Sequence, residues 1–408
     1  MSKRIIFHID VNNAFLSWTA VLLLKNGYKE DIRKIPSIIG GDEKTRRGIV
    51  LAKSPIAKKH GIQTAETLYS ARKKCPGLKI FPPDYRWYYE KSKELMDYLR
   101  KYSPALEQFS VDECFLDMSG MKYLYDSPTE LASKIKNDIK KKFGYTVNIG
   151  IGNNKLCAKM ASDFEKPDKV HTLFNEEIED KLWPLPVNDL FMCGRRTSEE
   201  LNKLHIYTIK DLAFADSKML ERKFKTQGKY LKEAALGIDD SKVEEHKSKN
   251  PSISISETLP HNYKDRDKLK EIVFRQTEEL CRELRHKKLY TKTVAITFKN
   301  SFFATYSAQA TTTNPTDNTR KILEMAYKVF DENYREDEIR LIGVRLASLT
   351  NNNNEQLSIF DTQKEKNKND DRVQKTIDEI NNKFGKSVVK PASLKLIGEK
   401  YSKKSYKQ

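Results

Sequence analysis

The chain has 408 residues, long enough for two to four domains with a core each. Its 75 Lys plus Arg against 57 Asp plus Glu leave a formal charge of +18, which points to a polyanionic partner, nucleic acid first, with a lysine-rich solvated surface as a contributor. No apolar run approaches the roughly 20 residues of a membrane span, the longest being residues 20–24, and the opening segment reads as a core strand rather than a signal peptide. Five scattered cysteines (Cys75, Cys114, Cys157, Cys193 and Cys281) form no CxxC pair and read as reduced core residues of a cytoplasmic protein. Nothing in the sequence indicates an oligomer, so a monomer is expected.

Residues 4–11 form a near-continuous apolar strand that ends in Asp10, and residues 14–26 read as a helix stopped by Gly27. Strands at 36–39 and 49–52 flank a glycine-rich, basic turn, and Lys53, Lys58 and Lys59 continue the positive charge. A helix rich in tyrosine lies between Asp84 and Tyr102. It leads into Ser110-Val111-Asp112-Glu113, two adjacent carboxylates set between alternating apolar residues, as in a short strand or hairpin crossing a core. A buried carboxylate without a partner is costly, and a metal ion is the simplest reason to place one there. Asp10 with Asp112 and Glu113 makes an oxygen-only set, which selects Mg²⁺ or Mn²⁺ and suits two-metal phosphoryl transfer. The bland alternative is that these acids cap a turn and a helix.

Residues 128–143 form the next helix, started by Ser127, Pro128 and Glu130. Residues 147–162 run from a strand through Gly150 and Gly152 into a helix N-terminus, an arrangement able to hold an anion. Residues 171–240 are helical and short-turned, with Met192-Cys193-Gly194-Arg195 before a helix at 198–204; this is either a phosphate-gripping hairpin or an ordinary helical pair. A charged linker follows at 244–251. Residues 252–350 then read β-α-β-β-α-β, a ferredoxin-like unit whose Arg282, Arg285, Lys287, Lys288, Lys292 and Lys299 are placed to track a phosphate backbone. After Asn351-Asn352-Asn353-Asn354, the peptide Gln356-Leu357-Ser358-Ile359-Phe360 looks like a docking segment, or one that folds back on its own domain.

Four ordered stretches together resemble the Y-family translesion DNA polymerases of the bacterial polymerase IV type. They are the Asp10 strand, Gly40-Gly41 through Arg46-Arg47-Gly48, Ser110 to Glu113, and Gly150-Ile151-Gly152-Asn153-Asn154-Lys155 through Lys166-Pro167. The resemblance implies an α/β (α+β) multidomain right hand. A ferredoxin-like palm would occupy 1–27 and 80–170, small fingers 28–79, a helical thumb of helix-hairpin-helix type 171–243, and a little finger 252–350. The tail, 351–408, would carry a peptide for the sliding clamp, the β subunit of the replicase, at Gln356, Leu357, Ile359 and Phe360. It further implies template-directed dNTP addition to a primer 3′ end on primer-template DNA, without proofreading, across damaged bases. By position, Asp10, Asp112 and Glu113 would hold two Mg²⁺ ions, which Mn²⁺ can replace, helped by the Val11 carbonyl. Phe15, five residues after Asp10, would be the steric gate against ribonucleotides, and Lys166 would grip the triphosphate. Where the family offers a Tyr and an Arg to the same phosphates, this chain has Pro55 and Lys58, which keeps charge without the bidentate fork. The usual Pro-Gly before Cys193 is absent as well.

Two other readings compete. Gly40-Gly41-Asp42-Glu43 imitates the signature of diguanylate cyclases, although Lys44 rather than an aromatic residue follows it. A catalytically idle, clamp-bound accessory protein would explain Pro55 and Lys58, but a dead site has no need to keep three acids.

Overall fold

The computed structural model describes residues 4–42, 48–121, 123, 126–244 and 252–352, with Thr376, Ile380 and Lys383. The peptide at Gln356–Phe360 and the turn at Arg46 and Arg47 lie outside the described residues. The chain divides into two compact units, with the boundary at Ser248 inside the charged stretch 244–251.

The first unit is built around β1 (Ile6–Val11), whose six residues are all buried. After it come α1 (Ala14–Lys25), β2 (Ser37–Gly40), β3 (Val50–Lys53), α2 (Pro55–Lys59), α3 (Leu68–Lys74), β4 (Lys79–Phe81), α4 (Tyr85–Leu99), β5 (Leu106–Gln108), β6 (Glu113–Asp117), α5 (Pro128–Phe143), β7 (Val147–Gly152), α6 (Lys155–Asp163) and β8 (Val170–Leu173). Five of these strands make one sheet in the order β5-β6-β1-β7-β8; β1 lies antiparallel to both neighbours, and β7 parallel to β8. Strand alternation then sorts the side chains. Phe7, Ile9, Val11, Cys114, Leu116, Ile149 and Ile151 enter the core shared with α4 and α5. Ile6, His8, Asp10, Glu113, Phe115 and Asn148 are left for the opposite face, where α6 lies.

α6 reaches that face because β7 carries glycines. A Cβ on Gly150 would stand 2.0 Å from the Ala158 carbonyl oxygen, and one on Gly152 2.7 Å from the Ala158 nitrogen. The glycines therefore serve close helix-strand approach. They do not build the anion site expected of them, since the α6 N-terminus is already filled: Asn154 accepts from the Cys157 N–H (2.8 Å) and Asp239 from the Leu156 N–H (3.0 Å).

A small sheet, β3-β2-β4, packs with α2 and α3 around Ile38, Val50, Ala57 and Leu68. Helices α7 (Arg195–Asn202), α8 (Ile209–Phe214), α9 (Ser217–Phe224) and α10 (Thr226–Ala235) share a core with the outer side of α6, through Leu156, Cys157 and Met160. The chain then crosses the back of the large sheet. Val243 is buried against Ile6, Phe115 and Ala158, and the Glu244 N–H donates to Glu107 at 3.2 Å. Glu107, 2% exposed, is held by the Lys155 ammonium at 2.7 Å.

The second unit runs β9 (Ser252–Tyr263), α11 (Arg266–His286), β10 (Thr291–Asn300), β11 (Thr305–Thr316), α12 (Thr319–Asn333) and β12 (Ile339–Ala347), as the alternation in sequence predicts. Its antiparallel sheet has the order β11-β10-β12-β9, so the second and fourth strands are central. That differs from the ferredoxin-like order, in which the first and third are. The third strand starts only at Thr305, because Asn300 caps a tight turn over residues 301–304, which exposes Phe302 and Phe303. The expected basic track is also divided. Arg285 is bound to the Asp317 carbonyl and Thr319, Lys287 to Glu283 and Arg282 to Glu279, and only Lys299 alternates with Thr293, Ala295 and Thr297 on the face away from the helices.

Gly150→Ala should cost about 3 kcal/mol, because backbone rather than a movable side chain occupies the Cβ position. Urea unfolding of the full chain would measure the loss, and an unchanged midpoint would mean that α6 can slide off β7.

Candidate active site

Asp10 and Glu113 are direct partners across the β1–β6 ladder, and Asp10 and Asn148 across β1–β7. Asp112 precedes the strand in the hairpin turn. Its carbonyl accepts from the Val11 N–H at 3.1 Å, and its carboxylate from the Ser110 hydroxyl at 2.7 Å. The hairpin reading of this stretch therefore holds, with Asp112 at the turn rather than inside the strand. Asp10 caps no helix, since α1 starts after Asn13, a left-handed residue at φ 51°. Backbone pairing thus sets Asp10 and Glu113 side by side on the α6 face, at the strand ends where the Asp112 turn meets Val11.

Their charges are met by lysines. Lys159, 8% exposed, donates to Glu113 at 2.6 Å, and Lys166 pairs with Asp10. Asp163 accepts from Lys166 at 2.7 Å and lies 3.3 Å from Lys159. Among the described residues, no three His, Cys, Asp or Glu side chains are drawn together at metal-binding distance. Glu113 and Asp10 are each neutralised by its own lysine.

Burial pushes the Asp10 carboxyl up to about 6 despite the pull of Lys166. Burial lowers Lys166, but Asp10 and then Asp163 outweigh it and raise the ammonium. His8, on the same face of β1, is held well below the ordinary histidine range by burial and then by Lys159 and Lys166. It is a neutral core residue bonded to the Ser162 hydroxyl at 2.8 Å.

Asn148 fixes the segment that carries Lys166. Its amide donates to the carbonyls of Ser162 (3.0 Å) and Glu165 (2.7 Å) and receives Asn12 (3.0 Å), and Asn12 in turn accepts from the Asp168 N–H (2.9 Å). Asn12, Asn148, Lys159 and Asp163 were not singled out from sequence. Only the spacing of Lys159, Asp163 and Lys166 about one helix turn apart hinted at them.

Phe15 lies half-buried on α1, stacked on Tyr88 (centroids 4.5 Å apart, planes 9°) and edge-on to Tyr85 (6.2 Å). Tyr88 is pinned by Thr19 through a 2.7 Å hydroxyl contact, so the Phe15 ring has a fixed floor. Pro55 and Lys58 fall on α2, where Ser54 is the cap and Pro55 takes the first helical position. Lys58 is exposed, and among the described residues it has no acidic partner. Met192, before α7, adopts φ 66°, a conformation that glycine takes without strain.

A five-stranded sheet with Asp10, Asp112 and Glu113 at neighbouring strand ends, helices on both faces and a second antiparallel unit downstream is the arrangement of a nucleotide-polymerising enzyme. Two models of the impB/mucB/samB family match, the main one over residues 9–163 and its C-terminal domain over 250–359. DNA polymerase IV of Clostridium acetobutylicum is 45% identical, aligned over 95% of this chain and 97% of its own length. DNA polymerase IV of Clostridium kluyveri is 35% identical over 96% and 98%, and DNA polymerase IV 2 of Bacillus subtilis 30% identical over 99% and 98%. Among solved structures, the Y-family DNA polymerase chimera Dbh-Dpo4(243-245)-Dbh superposes with a TM-score of 0.73 at 21% identity, covering 85% of this chain and all of its own, which shows the shared fold. The chain belongs to the impB/mucB/samB family, the Y-family DNA polymerases of the polymerase IV type. That membership removes the diguanylate cyclase reading.

Asp10→Asn should stabilise the metal-free chain at pH 7.5 by on the order of 2–3 kcal/mol. Between about pH 4 and 6 the folded carboxyl keeps a proton that the unfolded chain has released, so wild-type stability falls as pH rises through that window. The advantage of the variant should vanish toward pH 4. Melting curves in chelator across this range would show it, and a pH-independent difference would mean that Asp10 is ionised throughout.

Proposed function

We propose that this chain extends a primer 3′ end with dNTPs, as the template directs, by two-metal phosphoryl transfer. It works at low fidelity, without proofreading, and bypasses damaged template bases. The observation that carries the reading is the Asp10–Glu113 ladder pair with Asp112 tied to Val11, in a chain alignable with DNA polymerase IV over nearly its whole length.

The residues present fit a hard divalent cation. The donors are Asp10, Asp112, Glu113 and the Val11 carbonyl, all oxygen, and the buried Asp10 carries an ionisation cost that a cation would relieve. Mg²⁺, or Mn²⁺ in its place, would activate the attacking hydroxyl and hold the departing pyrophosphate. The chain's own groups do the positioning. Lys166, once off Asp10, meets the triphosphate as a point charge, with Lys58 as a second cation from α2. Phe15, braced by Tyr88, closes the space that a ribose 2′-hydroxyl would need.

Residues 1–27 and 80–170 serve as palm, 28–79 as fingers, 171–243 as thumb, 244–251 as linker and 252–350 as little finger. In the last, Ser254, Arg345, Ala295 and Gln309 register in one row across the face away from the helices, where a cation and polar groups flanking a small residue meet a phosphate backbone without sequence being read. Gln356, Leu357, Ile359 and Phe360 in the tail dock on the sliding clamp, which raises the enzyme's local concentration at primer ends. Five free, buried cysteines suit the reducing cytoplasm, and among the described residues no helix is long and apolar enough to cross a membrane.

Primer extension with Mg²⁺ and four dNTPs should give short products that are lost in Asp112→Ala while DNA binding survives; extension by that variant would remove Asp112 from the site. In the same assay Phe15→Ala should accept ribonucleotides, and unchanged sugar selection would reject the gate. Deleting residues 356–360 should abolish stimulation by the clamp and leave basal synthesis intact. Equal loss of both would assign the peptide to folding instead.

A further inference from the structure

Asp163 ends α6 and belongs to none of the ligand sets considered above. It nevertheless touches both ammonium groups of the site, Lys166 at 2.7 Å through Oδ1 and Lys159 at 3.3 Å through Oδ2. Those lysines reach inward to Asp10 and to Glu113. The five groups form one alternating chain, Glu113, Lys159, Asp163, Lys166, Asp10, with the part-buried Glu113 and the buried Asp10 at its ends and a half-exposed acid in the middle. Lys159 is one helix turn before Asp163, and Lys166 lies three residues after it in the turn that follows α6.

A divalent cation on Asp10 and Glu113 would stand against two ammonium groups, and like charges at this range repel strongly in a partly buried site. The lysines must then leave the inner acids. Among the acids whose contacts with these lysines are described, Asp163 is the one that remains outside the cation's reach. We propose that Asp163 is a positioning residue for the exchange: it retains Lys166, and with it Lys159, at the rim as a cation takes Asp10 and Glu113. Lys166 is thereby presented to an incoming triphosphate instead of being released to solvent. This rests on the reading of Asp10 and Glu113 as metal ligands. Without Asp163, the ammonium of Lys166 has only Asp10 to hold it, and it competes with the cation.

The test uses the full chain with Mn²⁺ alone as the probe, followed by electron paramagnetic resonance without DNA, and steady-state dNTP incorporation beside it. Asp163→Asn should weaken Mn²⁺ binding about fivefold and raise the dNTP KM about tenfold, with a smaller change in kcat, and Asp163→Glu should recover most of both. Lys166→Met should bind Mn²⁺ more tightly than wild type. In that background Asp163→Asn should change Mn²⁺ affinity by no more than about twofold, because the competitor is gone. The same loss with and without Lys166, or normal Mn²⁺ binding and KM in Asp163→Asn, would overturn the proposal. Wild-type chain that neither binds Mn²⁺ nor extends a primer would instead overturn the metal reading on which it stands.

Discussion

The fold buries the Asp10 carboxylate against the carboxylate's own preference for water. A lone negative charge at the end of a fully buried strand is unfavourable, and much of the first unit bears on that one cost. β1 is flanked on both sides, so Asp10 has no strand edge from which to reach solvent. Glycines in the neighbouring strand let α6 sit on the backbone itself, which brings Lys159 within bonding distance of Glu113 and leads the chain around to Lys166. Asn148 and Asn12, bonded to each other, then tie down the end of α6 at Ser162 and the turn after it at Glu165 and Asp168. What looks like a set of separate motifs along the chain is one local answer to one electrostatic problem.

Much of this was legible in the sequence. An apolar run ending in an acid, and a second run with paired acids at its start, are strong signals because strand alternation forces consecutive residues to opposite faces. The β-α-β-β-α-β order of the second unit was legible for a similar reason: its helices are long and its turns well marked. The order of strands within that sheet was not, because pairing depends on which crossover packs better, and no residue pattern along a single strand records it. The role of the glycines was misjudged. A glycine turn before a helix reads as an anion cradle when the helix N-terminus is open, and the residue that closes it here, Asp239, lies more than eighty positions further on. Lys159 and Asp163 escaped notice since a charged helix face usually means solvent.

Pro55 and Met192 differ from the family pattern in opposite ways. Pro55 cannot supply a hydroxyl, but it is an ideal first residue for a helix capped by Ser54, so it serves the backbone of α2. Met192 is the converse, a side chain imposed on a backbone conformation suited to glycine, at a local conformational cost.

The segment after α10 does not simply leave the first unit. Val243 is plugged between Ile6, Phe115 and Ala158, and Glu244 is held by its N–H on the buried Glu107–Lys155 pair. Glu107 lies on β5, the strand whose hairpin carries Asp112 and Glu113 at its other end. The chain beyond α10 is therefore fastened, through residues 243 and 244, to the hairpin that presents two of the acids. Breaking the Glu107–Lys155 pair would loosen that fastening and the strand that leads to Asp112 together.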